Sequence, residues 1–139
     1  MGDRCSVRLQ YLKSDEPVVM DVLGVDMFNT EYHADGDAVC DVEEGEVNYG
    51  WYNQFEELAS KGVQFTGSHG AGGDYGSSVF VGTGGRVTYL DTNSDGDPIA
   101  RLTLYPGQPP AAVLSDLVNA DNFHKALLRV KAVFEKARG

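Results

Sequence analysis

Basic residues are missing from a large part of this sequence: the 47 positions from Ser14 to Ser60 contain no lysine and no arginine. The same stretch holds 13 of the chain's 21 acidic residues, which leaves 8 acids and 11 bases for the remainder. One third of the chain therefore carries a formal charge near −13, and the rest carries one near +3. The net charge of −10 argues against nucleic acid or an anionic membrane as a direct partner, because phosphate binding needs clustered lysines and arginines.

Long apolar runs are also absent. No segment approaches the roughly 18 apolar residues that a membrane span needs, and the first five residues lack the apolar region of a secretory signal. The two cysteines, Cys5 and Cys40, stand in alternating apolar segments, where buried thiols are more common than a disulfide. We therefore expect a cytoplasmic protein of one domain, residues 1–139. The sequence leaves open whether the two thiols pair.

The apolar pattern predicts an α+β fold with a mainly antiparallel sheet. Residues 5–12 alternate as a half-buried strand, a helix begins at Ser14 or Asp15 and ends at Gly24, and residues 38–42 form the next strand. A second helix runs from about residue 50 to Gly62, and a further strand follows. This order of strand, helix, strand, helix and strand is that of a ferredoxin-like first half.

The second half of the chain predicts a β-meander followed by helix. Three strand patterns, at 78–81, 86–90 and 98–104, are separated by turns. Beyond a proline-rich connector, residues 111–118 and 121–136 have helical periodicity, and the second piece is a long C-terminal helix. The basic residues of this helix favour packing against the acidic third, within one chain or in a symmetric homodimer.

The acidic stretch is the first candidate functional site. Solubility does not require the exclusion of bases over so many residues, and neighbouring like charges weaken a fold. We interpret the stretch as a phosphate-mimicking surface that occludes the basic, nucleic-acid-binding site of a protein partner; the alternative is a solvated face. The expected contacts are Asp35, Asp37, Asp41, Glu43, Glu44, Glu46, Glu56 and Glu57, with Tyr49 and Tyr52 as aromatic anchors.

A second candidate is the loop from Asp91 to Asp97. Asp91, Asn93 and Asp95 stand at positions 1, 3 and 5 of the first half of a calcium-binding loop, with a glycine at position 6 and Asp97 at position 7. Position 12, where a bidentate glutamate is expected, is Leu102. The sequence therefore predicts either a weak Ca²⁺ or ligand-binding module or a polar hairpin turn, and it suggests no other cofactor.

A third candidate is the glycine-rich segment at 67–76, which contains Ser68, His69 and Asp74. A histidine beside a serine can act as a general base, which predicts a small hydrolase-like or transferase-like enzyme. The segment matches neither the P-loop nor the dinucleotide-binding fingerprint. The alternative is a glycine-rich crossover with an exposed histidine.

Residues 1–5, Met-Gly-Asp-Arg-Cys, together with the glycine-rich segment at 67–76 resemble small acidic proteins of phages and proteobacterial prophages. Some proteins of this size and charge block host defence, including anti-CRISPR proteins. The resemblance implies that the partner belongs to a nucleic-acid-directed host system, and it transfers no active site. Our leading hypothesis from the sequence is therefore a non-enzymatic acidic binding protein, encoded by a phage, that inhibits host defence.

Overall fold

A computed structural model describes residues 4–24, 32–35, 38–73 and 75–139, and of 32–35, Glu46 and Asn48 it describes the backbone alone. The strands are β1 (Arg4–Leu12), β2 (Tyr32–Asp35), β3 (Val39–Asn48), β4 (Phe65–His69), β5 (Ser78–Thr83), β6 (Arg86–Asp91), β7 (Leu102–Thr103) and β8 (Ala111–Ala112). The α-helices are α1 (Glu16–Leu23), α2 (Tyr52–Ser60) and α3 (Leu114–Arg138), and single 3₁₀ turns precede α1 and α2.

Strands β1 to β6 form one sheet in the order β2-β3-β1-β4-β5-β6. Every neighbouring pair is antiparallel. The predicted α+β class, the antiparallel sheet and the long C-terminal helix are confirmed. The predicted first helix is also confirmed, since α1 starts after Asp15 and ends at Gly24, which has a φ of 69°.

The predicted ferredoxin-like first half is confirmed, because β1, α1, β2, β3, α2 and β4 follow in this order and their strands lie in the sheet order β2-β3-β1-β4, with β3 between the parallel strands β1 and β2. Two details differ from the sequence prediction. The third strand of the predicted meander does not join the sheet, because β7 pairs with β8 in a separate two-stranded ribbon. The two predicted C-terminal helices are one helix of 25 residues, since no glycine or proline interrupts residues 114–138.

The sheet separates two apolar cores. On one face, the buried side chains of β1 pack with α1 and α2, and Phe55 of α2 lies 5.2 Å from Phe65 and 4.5 Å from Phe80 between ring centroids. On the other face, Phe123, Val130 and Phe134 of α3 pack against the opposite side of the sheet. The structure is thus a three-layer arrangement with α1 and α2 above the sheet and α3 below it. Cys5 and Cys40 are buried, and no disulfide joins them.

A buried tyrosine joins α1 to the sheet. The hydroxyl of Tyr11, fully buried on β1, donates to Oε2 of Glu16 at 3.0 Å, and the Cys40 thiol donates to the same oxygen at 3.0 Å. Burial, followed by the hydrogen bond to Glu16, raises the pKa of Tyr11 well above its ordinary value of 10.0. The folded protein therefore keeps a proton that the unfolded chain loses near pH 10.

Because unfolding releases this proton, the free energy of unfolding falls as the pH rises above 10. One such tyrosine contributes a slope of about 1.4 kcal/mol per pH unit. We expect Tyr11→Phe to lower the free energy of unfolding at neutral pH by about 1 kcal/mol, through the lost hydrogen bond. The variant also loses this part of the alkaline slope. Urea unfolding at neutral pH and at about pH 11 measures both effects, with the exposed Tyr105→Phe as the control. Parallel pH profiles for Tyr11→Phe and the unsubstituted protein would contradict this account.

Candidate binding site

A pocket of about 530 Å³ opens where β4, β5 and β6 meet the start of α2. This volume lies within the range of small-ligand sites, roughly 300–1,000 Å³. Its walls combine aromatic rings with a few polar side chains. The residues that line it are Tyr49, Gly50, Tyr52, Asn53, Gln54, His69, Tyr75, Gly76, Ser78, Tyr89 and Asp91.

Strand register places three polar side chains in a row on the pocket floor. His69 of β4 lies opposite Ser78 of β5, and Ser78 lies opposite Asp91 of β6. Directly opposed side chains in neighbouring strands have Cβ atoms about 4.5–5.5 Å apart. Ser78 is buried, and its hydroxyl donates to Oδ1 of Asp91 at 3.4 Å. The floor therefore presents an imidazole at one end and a carboxylate at the other.

The imidazole of His69 is held in one orientation. Its Nδ1 lies 2.8 Å from the carbonyl oxygen of Gly70. Because a carbonyl can only accept a hydrogen bond, Nδ1 carries the proton in the neutral ring and Nε2 is left as an acceptor. The ring of Tyr75 stands at 84° to the imidazole, at 5.5 Å between centroids, and Tyr89 lies 6.4 Å away. Aromatic packing thus fixes the histidine at the pocket wall.

Tyr89 carries a hydroxyl that lacks a hydrogen-bond partner among the described residues. Its ring stacks on Tyr52 of α2 at 5.5 Å, and its buried hydroxyl makes no hydrogen bond within the part of the chain that the structure describes. Burial, followed by the charge of Glu56, raises the pKa of Tyr89 far above its ordinary value. A buried neutral donor without an acceptor costs about 1–3 kcal/mol.

The chain enters α2 through a left-handed turn that forms the pocket rim. Tyr49, Gly50 and Trp51 have φ values of 51°, 59° and 58°. The left-handed region costs a non-glycine residue about 1–2 kcal/mol, so Tyr49 and Trp51 hold stored strain. Packing offsets it: Trp51 is buried and meets Phe55 edge-on, and Gly50 lies against the ring of His69. Backbone strain of this kind concentrates at functional sites.

The charge around the pocket has one sign. Asp91 lines it and Glu56 lies close enough to act on Tyr89, whereas the described residues of its lining include no lysine or arginine. The wall from Tyr49 to Gln54 comes from the base-free stretch. The pocket is therefore aromatic and negative.

The acidic residues predicted to form one surface are distributed over both sides of the sheet. The guanidinium of Arg8 donates to the carboxylate of Asp41 at 2.9 and 3.1 Å. Glu43 on β3 lies directly opposite Arg8 on β1 in the strand register. Glu44 lies opposite buried Val7, on the face that carries α1 and α2.

Glu56 and Glu57 are exposed on α2. Asp37 and the side chains of Asp35 and Glu46 lie outside the described residues, and Tyr49 and Tyr52 line the pocket.

The predicted calcium loop is folded as a hairpin turn. Oδ1 of Asn93 accepts backbone N–H groups of Asp95 and Asp97 at 3.0 and 2.9 Å, and Asp91 accepts from Ser78 in the pocket. Across the described residues, no group of three or more histidine, cysteine and acidic side chains is placed to hold a metal ion. The Ca²⁺ hypothesis stays a prediction with no assembled ligand set behind it.

The predicted serine–histidine pair is not assembled. Successive strand residues point to opposite faces, so Ser68 lies in a groove on the α3 side while His69 lies in the pocket. Asp74 lies outside the described residues. The sequence analysis did not identify Ser78 or Tyr89 as site residues. The Gly84–Gly85 turn was a signal for Ser78, because it sets the β5–β6 register that places Ser78 opposite Asp91.

Comparison with known protein families, with curated proteins and with solved structures finds no match to this chain. Function is therefore inferred from the geometry of the pocket. No described helix is both long and apolar enough to cross a membrane.

Tyr49 offers a test of the strain at the rim. Because glycine adopts a positive φ without cost, we expect Tyr49→Gly to be more stable than Tyr49→Ala by about 1 kcal/mol. Both variants remove the same exposed ring, so their difference reports the backbone alone. Chemical denaturation provides the measurement, and equal stabilities for the glycine and alanine variants would show that residue 49 is not held in the left-handed region.

Proposed function

We propose that this protein is a non-enzymatic binding protein that captures a positively charged side chain of a basic protein partner in the tyrosine-lined pocket. The observation that carries the proposal is the lining itself: four tyrosines and Asp91, with no basic side chain among the described lining residues. The functional surface is then the pocket and its rim, rather than the whole acidic third.

Aromatic rings and a carboxylate together favour a cation over a neutral or anionic ligand. A cation over an aromatic face gains about 0.5–1 kcal/mol at an exposed site and about 2 kcal/mol when desolvated. Asp91 adds a charge-assisted acceptor at the floor. An arginine side chain suits this combination, since its planar guanidinium stacks on rings and donates several hydrogen bonds.

The rim supports a protein partner rather than a free metabolite. Tyr49 is 58% exposed and Tyr52 is 53% exposed, and both stand beside the pocket opening. Exposed tyrosines next to a pocket are typical of interface hot spots, where an anchor side chain enters a cleft and aromatic residues surround it. The acidic exposed side of α2, with Glu56 and Glu57, would steer a basic surface toward the site.

The wider hypothesis, that the partner is a nucleic-acid-binding protein of a host defence system, rests on the resemblance to small phage proteins and stays a prediction. Arg8 already binds Asp41, and of the β3 acids whose side chains are described, Asp41 and Glu43 lie on one face of the sheet and Glu44 on the other. A continuous phosphate-like surface is not formed by those acids whose side chains are described.

The row of His69, Ser78 and Asp91 favours an enzyme as the second candidate, but its bonding supports binding more than hydrolysis. In a nucleophilic triad, the carboxylate orients the histidine and the histidine accepts the serine proton. Here the Ser78 hydroxyl donates to Asp91, and a backbone carbonyl orients His69. The histidine is therefore suited to accept a hydrogen bond from a bound group.

A matched pair of ligands tests the proposal. Nα-acetyl-arginine methylamide carries the cation, and the corresponding citrulline derivative is its neutral isostere. We expect the arginine compound to shift the NMR signals of His69, Tyr75 and Tyr89 in a saturable way, with weak affinity for a lone side chain, and the citrulline compound to bind at least about tenfold more weakly. Comparable binding of the two compounds would overturn the proposal.

Variants separate the pocket from the acidic stretch. Asp91→Asn and Tyr52→Ala should each weaken arginine binding by about tenfold, which corresponds to about 1.4 kcal/mol. The double variant with Glu43→Lys and Glu44→Lys changes more charge but leaves the pocket intact, so it should bind nearly as the unsubstituted protein does. Loss of binding in that double variant, with Asp91→Asn unaffected, would support the acidic surface instead.

A further inference from the structure

Helix α3 has a second apolar face that the sheet does not cover. Phe123, Val130 and Phe134 bury one side of the helix against β5, β6 and their neighbours. On the opposite side, Leu114 is 74% exposed, Val118 is 50% exposed and Leu128 is 53% exposed. Exposed aliphatic residues aligned along a helix are typical of a helix–helix contact.

The residues of this face follow a heptad pattern. Leu114, Val118, Asp121, Lys125, Leu128 and Ala132 are separated by 4, 3, 4, 3 and 4 positions, which is the spacing of a coiled-coil seam. We name this set the outer stripe. It spans 19 residues, or about 28 Å of helix, and all of its side chains are exposed in the single chain.

The order of apolar and charged residues along the outer stripe is the same from either end, and the acid and the base exchange places. Two apolar residues stand at each end, and one acid and one base stand in the middle. In a twofold-symmetric contact, residue i of one copy meets residue j of the other, and j meets i. A stripe with this order is complementary to itself when two copies run antiparallel.

We propose that the outer stripe is the dimer contact of this protein, with two α3 helices packed antiparallel about a twofold axis that passes between Asp121 and Lys125. In this register Asp121 meets Lys125 of the second copy, Val118 meets its Leu128, and Leu114 meets its Ala132. A parallel arrangement would instead set Asp121 against Asp121 and Lys125 against Lys125, which costs energy through like-charge contact. The charges thus select the antiparallel pair.

The single chain shows the groups that this contact would use. Asp121 and Lys125 form an exposed ion pair within the helix at 2.8 Å, and the dimer would join two such pairs into a network of four alternating charges. Leu117, which is 50% exposed, lies beside the stripe.

The proposed dimer leaves the tyrosine-lined pocket free. The pocket lies on the α2 side of the sheet, and the outer stripe lies on the far side of α3. A dimer would therefore carry two pockets that face away from each other, and a partner with repeated basic side chains would gain affinity by engaging both. The dimer is inferred from the stripe alone, so its test does not depend on the function proposed for the pocket.

Sedimentation velocity from low micromolar to near-millimolar concentration tests the contact. We expect the unsubstituted chain to pass from monomer to dimer over this range and Val118→Glu to raise the dissociation constant by at least about tenfold. Val18→Glu, which makes the same replacement at an exposed position of α1, is the matched control and should dimerise normally. Circular dichroism of both variants checks that they keep the fold. A monomer at every concentration, or normal dimerisation of Val118→Glu, would overturn the proposal.

Charge reversal tests the antiparallel register. Asp121→Lys and Lys125→Asp should each weaken the dimer by about tenfold, because each leaves two like charges facing one another. The double variant with both changes restores opposite charges across the axis and should recover an affinity close to that of the unsubstituted chain. Asp95→Lys, on the exposed 93–97 turn, controls for net charge. If the double variant dimerises no better than the single ones, the register is wrong.

Discussion

Burial of one face of β1 is the constraint on which the rest of the structure depends. Cys5, Val7, Leu9 and Tyr11 are all buried on the side that packs with α1 and α2, and β3 and β4 pair with β1 on either side. Because the alternation has a period of two, the polar residues between them must point to the α3 side. This division puts the pocket on one face and the long helix on the other, so two surfaces with different chemistry arise from one strand.

At the pocket, described residues depart from the usual backbone angles and from the usual pairing of buried polar groups. Tyr49 and Trp51 adopt left-handed backbone angles, and the Tyr89 hydroxyl is buried without an acceptor among the described residues. Each of these costs free energy that a purely structural site would avoid. They cluster around one cavity, while the packed rings of Phe55, Phe65 and Phe80 beside it show ordinary aromatic geometry. Among the described residues, costs of these kinds lie at this one site, and such local exceptions are expected at functional sites.

Local patterns predicted the elements, and the order of the elements predicted the ferredoxin-like arrangement of the first half. The alternation in β1, the glycine that ends α1 and the periodicity of α3 are short-range signals, and the structure follows them. The pairing of β1 with β3 and β4 joins distant segments, so it followed from the order of the elements and not from any local window. The same limit applies to the site: the turn at Gly84–Gly85 fixes Ser78 opposite Asp91, yet His69 joins them only through the longer β4–β5 connection. The β7–β8 ribbon was missed because two-residue strands have almost no periodic signature.

The residues of the base-free stretch that the structure describes lie in several different parts of the fold. Of the β3 acids whose side chains are described, Asp41 and Glu43 lie on one face of the sheet and Glu44 on the other, and Asp41 is bound by Arg8. What the stretch provides instead is a pocket wall, Tyr49 to Gln54, that brings no lysine or arginine near the rings. A basic side chain at that wall would occupy the aromatic faces and neutralise Asp91, since cation–π contact and ion pairing act over only a few ångströms. The absence of bases along the chain thus leaves this wall of the cavity, in the folded protein, without a cation of its own.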